Sequence, residues 1–168
     1  MPIETDDDPL DAIDLKILAE LQRDGRIRNN ELAERVGISP PPCLRRLRAL
    51  RRRGFVRAIR ATLDEKLLGL EVTSFVTIQL KSQARASVLA FEAAIMAMPH
   101  VQQCWQLSGD ADFLLKCLAP DVEAMHRHLL QFAAMPEVNT IRSLPVLGLS
   151  KDAPVPLPEA PYPPPDED

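Results

Sequence analysis

Apolar residues recur at helical spacing through the first third of the chain and at alternate positions later, so the hydrophobic pattern divides the sequence in two. Between Leu10 and Arg23, Ile13, Ile17, Leu18 and Leu21 fall on one side of a helix, which Asp24-Gly25 ends. Asn29 or Asn30 is placed to cap a second, short helix over 31–36, with Leu32, Ala33 and Val36 facing inward; Gly37 stops it and Ile38 plugs the turn. A third helix enters through Ser39-Pro40-Pro41-Pro42 and runs to Arg53, with Gly54 behind it. At about 100° per residue, Cys43, Leu44, Leu47 and Leu50 form its buried stripe, while Arg45, Arg48 and Arg52 fall together on the opposite side. Helix, short helix, tight glycine turn and basic helix is the helix-turn-helix order, whose last helix enters the DNA major groove. Residues 55–61 then alternate and predict a short strand, a wing from which Arg57 and Arg60 reach the DNA backbone.

The second half changes period. Val72, Ser74, Val76, Ile78 and Leu80 share one face of a strand over 72–81, followed by a helix over 85–98 with Val88, Leu89, Ala93, Ile95 and Met96 as its core candidates. A strand over 101–107, a turn Ser108-Gly109-Asp110-Ala111 and a strand over 112–118 come next, with Phe113, Leu115 and Cys117 on one face. Trp105 and Phe113 are expected in the core. Asp121 caps a helix to about residue 134 that uses Val122, Met125, Leu129 and Phe132, and a final strand begins near Val138. The order is β-α-β followed by β-α-β, the ferredoxin-like template, so the fold class is α+β. Pro145 cannot donate to a ladder and places the last strand at an edge or an end there. The expected division is an acidic disordered arm over 1–9, a winged helix-turn-helix domain over 10–62, a linker over 63–70, an α/β domain over 71–150 and a disordered proline-rich tail over 151–168.

Charge sharpens this division. The formal net charge of -4 conceals about -4 in residues 1–9, +7 in 10–60 and -7 in 61–168. Six arginines fall within residues 45–53 with no acid among them, whereas ordinary surface helices mix signs. A run of that kind wants a polyanion, and Arg45 and Arg48 are expected to read base edges while Arg46, Arg51, Arg52 and Arg53 hold phosphates. The prolines remove the N–H groups that the Ser39 hydroxyl would cap, which leaves it to solvent or a phosphate, and Pro41 offers a rigid apolar surface to a thymine methyl.

The remaining chemistry is exclusions. Cys43, Cys104 and Cys117 are scattered without metal-ligand spacing and are expected to be reduced and buried. His126 and His128 point in different directions from one helix and His100 follows Pro99 in isolation, so no metal is expected. No nucleophile, base and orienter come together, so an enzyme is not expected. The absence of a signal peptide or an apolar run of about 18 residues predicts a soluble, cytoplasmic and nucleoid-associated protein.

Between Leu10 and Leu149 the chain resembles the Lrp/AsnC (feast/famine) transcriptional regulators. The resemblance is carried by Leu10-Asp11-Ala12-Ile13-Asp14-Leu15-Lys16-Ile17-Leu18, by Glu31-Leu32-Ala33-Glu34-Arg35-Val36-Gly37-Ile38-Ser39-Pro40, by Cys43-Leu44-Arg45-Arg46-Leu47, by Gly54-Phe55-Val56 and by the stretch from Ser108 to Leu115. It implies a sequence-specific regulator of double-stranded DNA. Its α/β domain would dimerise through its sheets, assemble dimers into octamers, and take an amino-acid effector in a cleft between dimers. From the residues alone Ser108-Gly109-Asp110 is a hairpin turn; the resemblance implies effector contacts from Ser108, Gly109 and Asp110, with Asp112 close by, and from Thr140 and Ser143. A different class, an architectural protein that compacts DNA with little sequence preference, shares the same basic helix. The proline tail, the triple proline and Pro145 depart from the family pattern.

Overall fold

The computed structural model of the chain describes residues 9–158. The chain divides into two compact units: it leaves the first at Thr62, forms the second over Leu63–Lys151, and returns to the first from Asp152.

The first unit contains helices α1 (Ala12–Arg23), α2 (Asn29–Val36) and α3 (Pro40–Arg52). Asp11 caps α1 through the N–H groups of Ile13 and Asp14, and the Asp14 carboxylate returns a bond to the Asp11 N–H, a complete capping box. Neither Asn29 nor Asn30 caps α2: Arg28 holds that position without a side-chain bond, and the Asn29 amide donates to the Pro40 carbonyl, 2.9 Å, tying the start of α2 to the start of α3. Gly37 adopts a left-handed conformation (φ 78°) that a side chain would resist, and this turns the chain from α2 toward α3. Ile17, Leu32, Ala33, Cys43, Leu47 and Leu50 pack as one core. No strand forms over 55–61, in contrast to the alternation there. Phe55 and Ile59 stay half exposed, and Ile59 instead approaches the turn after α1 so closely that a Cβ on Gly25 would meet its Cγ2 at 2.9 Å.

The second unit holds β1 (Val72–Leu80), α4 (Arg85–Met96), β2 (Val101–Gln106), β3 (Phe113–Ala119), α5 (Val122–Ala133) and β4 (Val138–Pro145). The antiparallel sheet has the order β2-β3-β1-β4, the ferredoxin-like arrangement that the βαββαβ order implies. Val76, Ile78, Leu115 and Cys117 pack one face against Phe91, Ile95, Met125 and Phe132 of the two helices. In α4, Ile95 is buried and Val88 packs on the core as expected, but Phe91 is buried in place of Leu89 and Met96, which are exposed, as is Val122 at the start of α5. Cys104 is exposed rather than buried. Pro145 is the last residue of β4, an edge strand, where its missing N–H breaks no central ladder.

Pairing register places Trp105 beside Leu114, Phe75 beside Leu144, and Thr73 beside Leu118, all on the face opposite the helices. Trp105 therefore is 40% exposed and lies outside the core that Phe113 joins.

Candidate nucleic-acid interface and effector cleft

The entry to α3 follows from its prolines. Ser39 is extended, its side chain makes no cap bond, and the first helical N–H, that of Cys43, donates to the Ser39 carbonyl at 3.2 Å. Pro41 is exposed beside it. Arg45, Arg48, Arg51 and Arg52 are exposed, and among the described residues no acid lies within ion-pair distance of them. Arg51 and Arg52 occupy the last turn, where the helix dipole favours cations and offsets part of their mutual repulsion. Arg57 is also exposed.

Two expected phosphate ligands are engaged within the protein. Arg46 Nη1 meets Asp11 Oδ2 at 2.6 Å and Asp14 Oδ1 at 3.0 Å, joining α3 to the cap of α1. The hydrogen bond to Asp14 is the main reason the Arg46 guanidinium holds its proton more tightly than usual. Burial pushes the Asp11 carboxyl up, but the Asp14 N–H and Arg46 outweigh it and hold the group below its ordinary range. Arg53 is half-buried, with its guanidinium 4.8 Å over the centre of the Phe55 ring.

In the second unit, an open cavity of about 490 Å³ is lined by Thr77, Gln79, Asp110, Ala111, Thr140 and Arg142. Register explains the set: Thr77 pairs with Arg142 and Gln79 with Thr140, so all four stand on the open face of the sheet, and the turn after β2 brings Asp110 to them. Gly109 makes that turn at φ 128°, outside the range comfortable for other residues. Ser108 and Gly109 are exposed on the turn without lining the cavity.

The structure gives two expected cleft residues other tasks. Ser143 is one position out of phase with Thr140 and Arg142, and its hydroxyl lies 2.8 Å from that of buried Ser74 on the helix-facing side. Asp112 accepts from the Leu80 N–H at 2.7 Å and the Gln83 amide at 2.9 Å, fastening the end of β1 to the turn. Thr77, Gln79 and Arg142 were not anticipated, although strict alternation along β1 and β4 carries them onto the same face as Thr140.

His100 is not isolated. Its ring stacks on that of His128, centroids 3.6 Å apart and planes within 4°. Burial, then the neighbouring His128, lowers the His100 pKa to about 4. Among the described residues there is no group of three or more His, Cys, Asp or Glu side chains that could hold a metal ion, and no helix is long and apolar enough to cross a membrane.

A helix-turn-helix unit with exposed arginines along its last helix, joined to a ferredoxin-like unit with a polar cleft, defines a ligand-responsive class of DNA-binding transcriptional regulator. Residues 10–57 match the winged helix-turn-helix DNA-binding family and residues 73–156 the Lrp/AsnC ligand-binding domain. The chain is 46% identical over 145 residues to the leucine-responsive regulatory protein of Rhizobium meliloti, covering 86% of this chain and 93% of that one. It is 42% identical over 139 residues to the leucine-responsive regulatory protein of Escherichia coli K12, covering 82% and 85%. Among solved structures, a transcriptional regulator of Neisseria meningitidis in complex with L-Met superposes with a TM-score of 0.81 at 35% identity, over 85% of this chain and 93% of that one. An AsnC family regulator of Agrobacterium tumefaciens gives 0.81 at 31% identity, over 89% and 97%. The chain belongs to the Lrp/AsnC family of transcriptional regulators.

Proposed function

We propose that this regulator reads a specific operator through Arg45 and Arg48, holds phosphates through Arg51, Arg52 and Arg57, and responds to an α-amino acid bound in the cleft of Asp110, Thr140 and Arg142. The observation that carries the effector reading is the pairing of charges in that cleft: a carboxylate on the turn and a guanidinium on β4 line the same cavity. An α-amino acid is a zwitterion at neutral pH, and Asp110 suits its ammonium while Arg142 and the Thr140 hydroxyl suit its carboxylate. The solved L-Met complex of the Neisseria regulator supports this ligand class. The cleft borders an open sheet face bearing Phe75, Trp105, Leu114, Leu118 and Leu144, an apolar surface that a second copy of the chain would cover. Effector binding would then bias how dimers assemble into octamers and so which arrays of sites are occupied. The protein acts by binding rather than turnover, in the cytoplasm on the nucleoid.

A thermal-shift screen of the twenty amino acids tests the effector reading, because a ligand that binds only the folded state raises its melting temperature. At least one amino acid is expected to raise it, and Arg142→Gln and Asp110→Asn are each expected to abolish the shift. A shift that survives both substitutions places the effector elsewhere.

A further inference from the structure

The segment from Asp152, outside both the sheet and the helices, returns to the DNA-binding unit. Its Pro154-Val155-Pro156-Leu157-Pro158 run enters a groove whose walls are α1, through Leu18, Leu21 and Gln22, and the Phe55–Arg60 segment. Two contacts seat it. The Gln22 side-chain amide donates to the Val155 carbonyl at 2.9 Å, and half-buried Leu157 packs against the core that includes Leu10 and Leu18. Alternate prolines restrict this stretch to extended conformations before it docks, which lowers the entropy lost on seating, and a groove edged by an aromatic ring suits such a peptide.

The opposite wall is a part of the unit without helix or strand, held by Val56 on the core and by Ile59 against the turn at Gly25. Residues 55–61 form no strand, and Phe55 and Ile59 remain half exposed. From this wall project Arg57 and Arg60, both exposed. None of the exposed arginines of α3 lines the groove, so the seated Val155–Pro158 stretch leaves them uncovered.

We propose that Val155–Pro158 is a positioning strap: it fixes the Phe55–Arg60 segment against α1 and thereby holds Arg57 and Arg60 where they neutralise DNA phosphates. It stands in for the ladder that the segment lacks. The inference rests on the reading of Arg57 as a phosphate ligand, and the experiment separates the two.

The measurement is the slope of log K against log salt for a fixed operator duplex, since each phosphate contact contributes a slope of about 0.9. The double variant Arg57→Ala, Arg60→Ala tests the phosphate reading by itself and is expected to reduce the slope by roughly two units for each copy bound. Leu157→Asp, and more mildly Gln22→Ala, are expected to reduce the slope in the otherwise unaltered protein while causing no further loss in the Arg57→Ala, Arg60→Ala background. Gln22 is exposed and Leu157 lies outside the helices and only partly buried, so unchanged far-UV spectra are expected to accompany the loss. If the arginine variant alone leaves the slope intact, the phosphate reading fails; if it lowers the slope but Leu157→Asp and Gln22→Ala do not, the strap fails. Equal losses in both backgrounds overturn the strap as well, because its effect would then bypass the arginines it is meant to place.

Discussion

Arg46 directs its charge inward. It occupies the middle of a cationic helix, but bonds to Asp11 and Asp14 convert it from a DNA ligand into a brace between α3 and α1. Asp14 is buried, so Arg46→Met leaves a carboxylate without its partner and is expected to cost about 1–3 kcal/mol of stability in urea titrations. The same variant is expected to keep the salt slope of DNA binding, which distinguishes a brace from a phosphate contact. Protonation chemistry gives a second residue-scale expectation. His100 in the fold has a pKa of about 4 against an ordinary 6.5. Between those values the unfolded chain binds a proton that the folded chain refuses, so stability is full above about pH 6.5 and declines as pH falls toward 4. Melting temperatures measured across that window should show the decline, and His100→Phe, which preserves the stack on His128 without a titratable group, should flatten it. A slope unaffected by the substitution would assign the acid sensitivity elsewhere.

At the scale of elements, α3 works because one turn holds it and another leaves it exposed. Gly37 aims the helix, the prolines remove capping donors from its first turn, and its arginines begin beyond them. Discrimination between bases is therefore expected from Arg45 and Arg48, and positioning from Arg51 and Arg52. Arg45→Ala is expected to lose about 1–3 kcal/mol on operator DNA and much less on random DNA at the same salt; equal losses on both would demote Arg45 to a phosphate contact. Helices and strands of this kind were legible in the sequence because each has a covered side, and burial imposes a period of 3.6 or 2 on the residues that supply it. What was not legible depends on partners distant in the chain. Arg46 finds Asp11 35 residues away, His100 finds His128 across two elements, and Leu157 finds the core of the first unit. The alternation of 55–61 misled for the same reason, since a period of two marks a strand only where another strand is available to pair. Ser143 and Arg142 show how fine the margin is: adjacent in β4, they project to opposite faces, and one residue of register separates the hydroxyl pair with Ser74 from a cleft.

The whole molecule presents an unfinished surface. Two helices cover one face of the four-stranded sheet, and the other face carries Phe75, Trp105, Leu114, Leu118 and Leu144, with Trp105 and Leu144 exposed and Lys116 paired to Glu65 of the preceding segment. Apolar area of this kind favours association, and a two-fold pairing of such faces, as proposed, would give a dimer in which each copy contributes one recognition helix. Two linked helices bind paired half-sites with an affinity that exceeds a single site by about 10²–10⁴, because the second contact is made at high effective concentration. Trp105 and Leu144 are exposed, so charging them should spare the folded unit while placing carboxylates in a desolvated interface. The double variant Trp105→Glu, Leu144→Glu is accordingly expected to sediment as a monomer, to bind an isolated half-site as the unaltered protein does, and to lose about a hundredfold or more on the paired operator. A variant that remains dimeric would place the interface on another surface. One that becomes monomeric yet keeps full affinity for the paired site would show that dimerisation does not supply the linkage between half-sites.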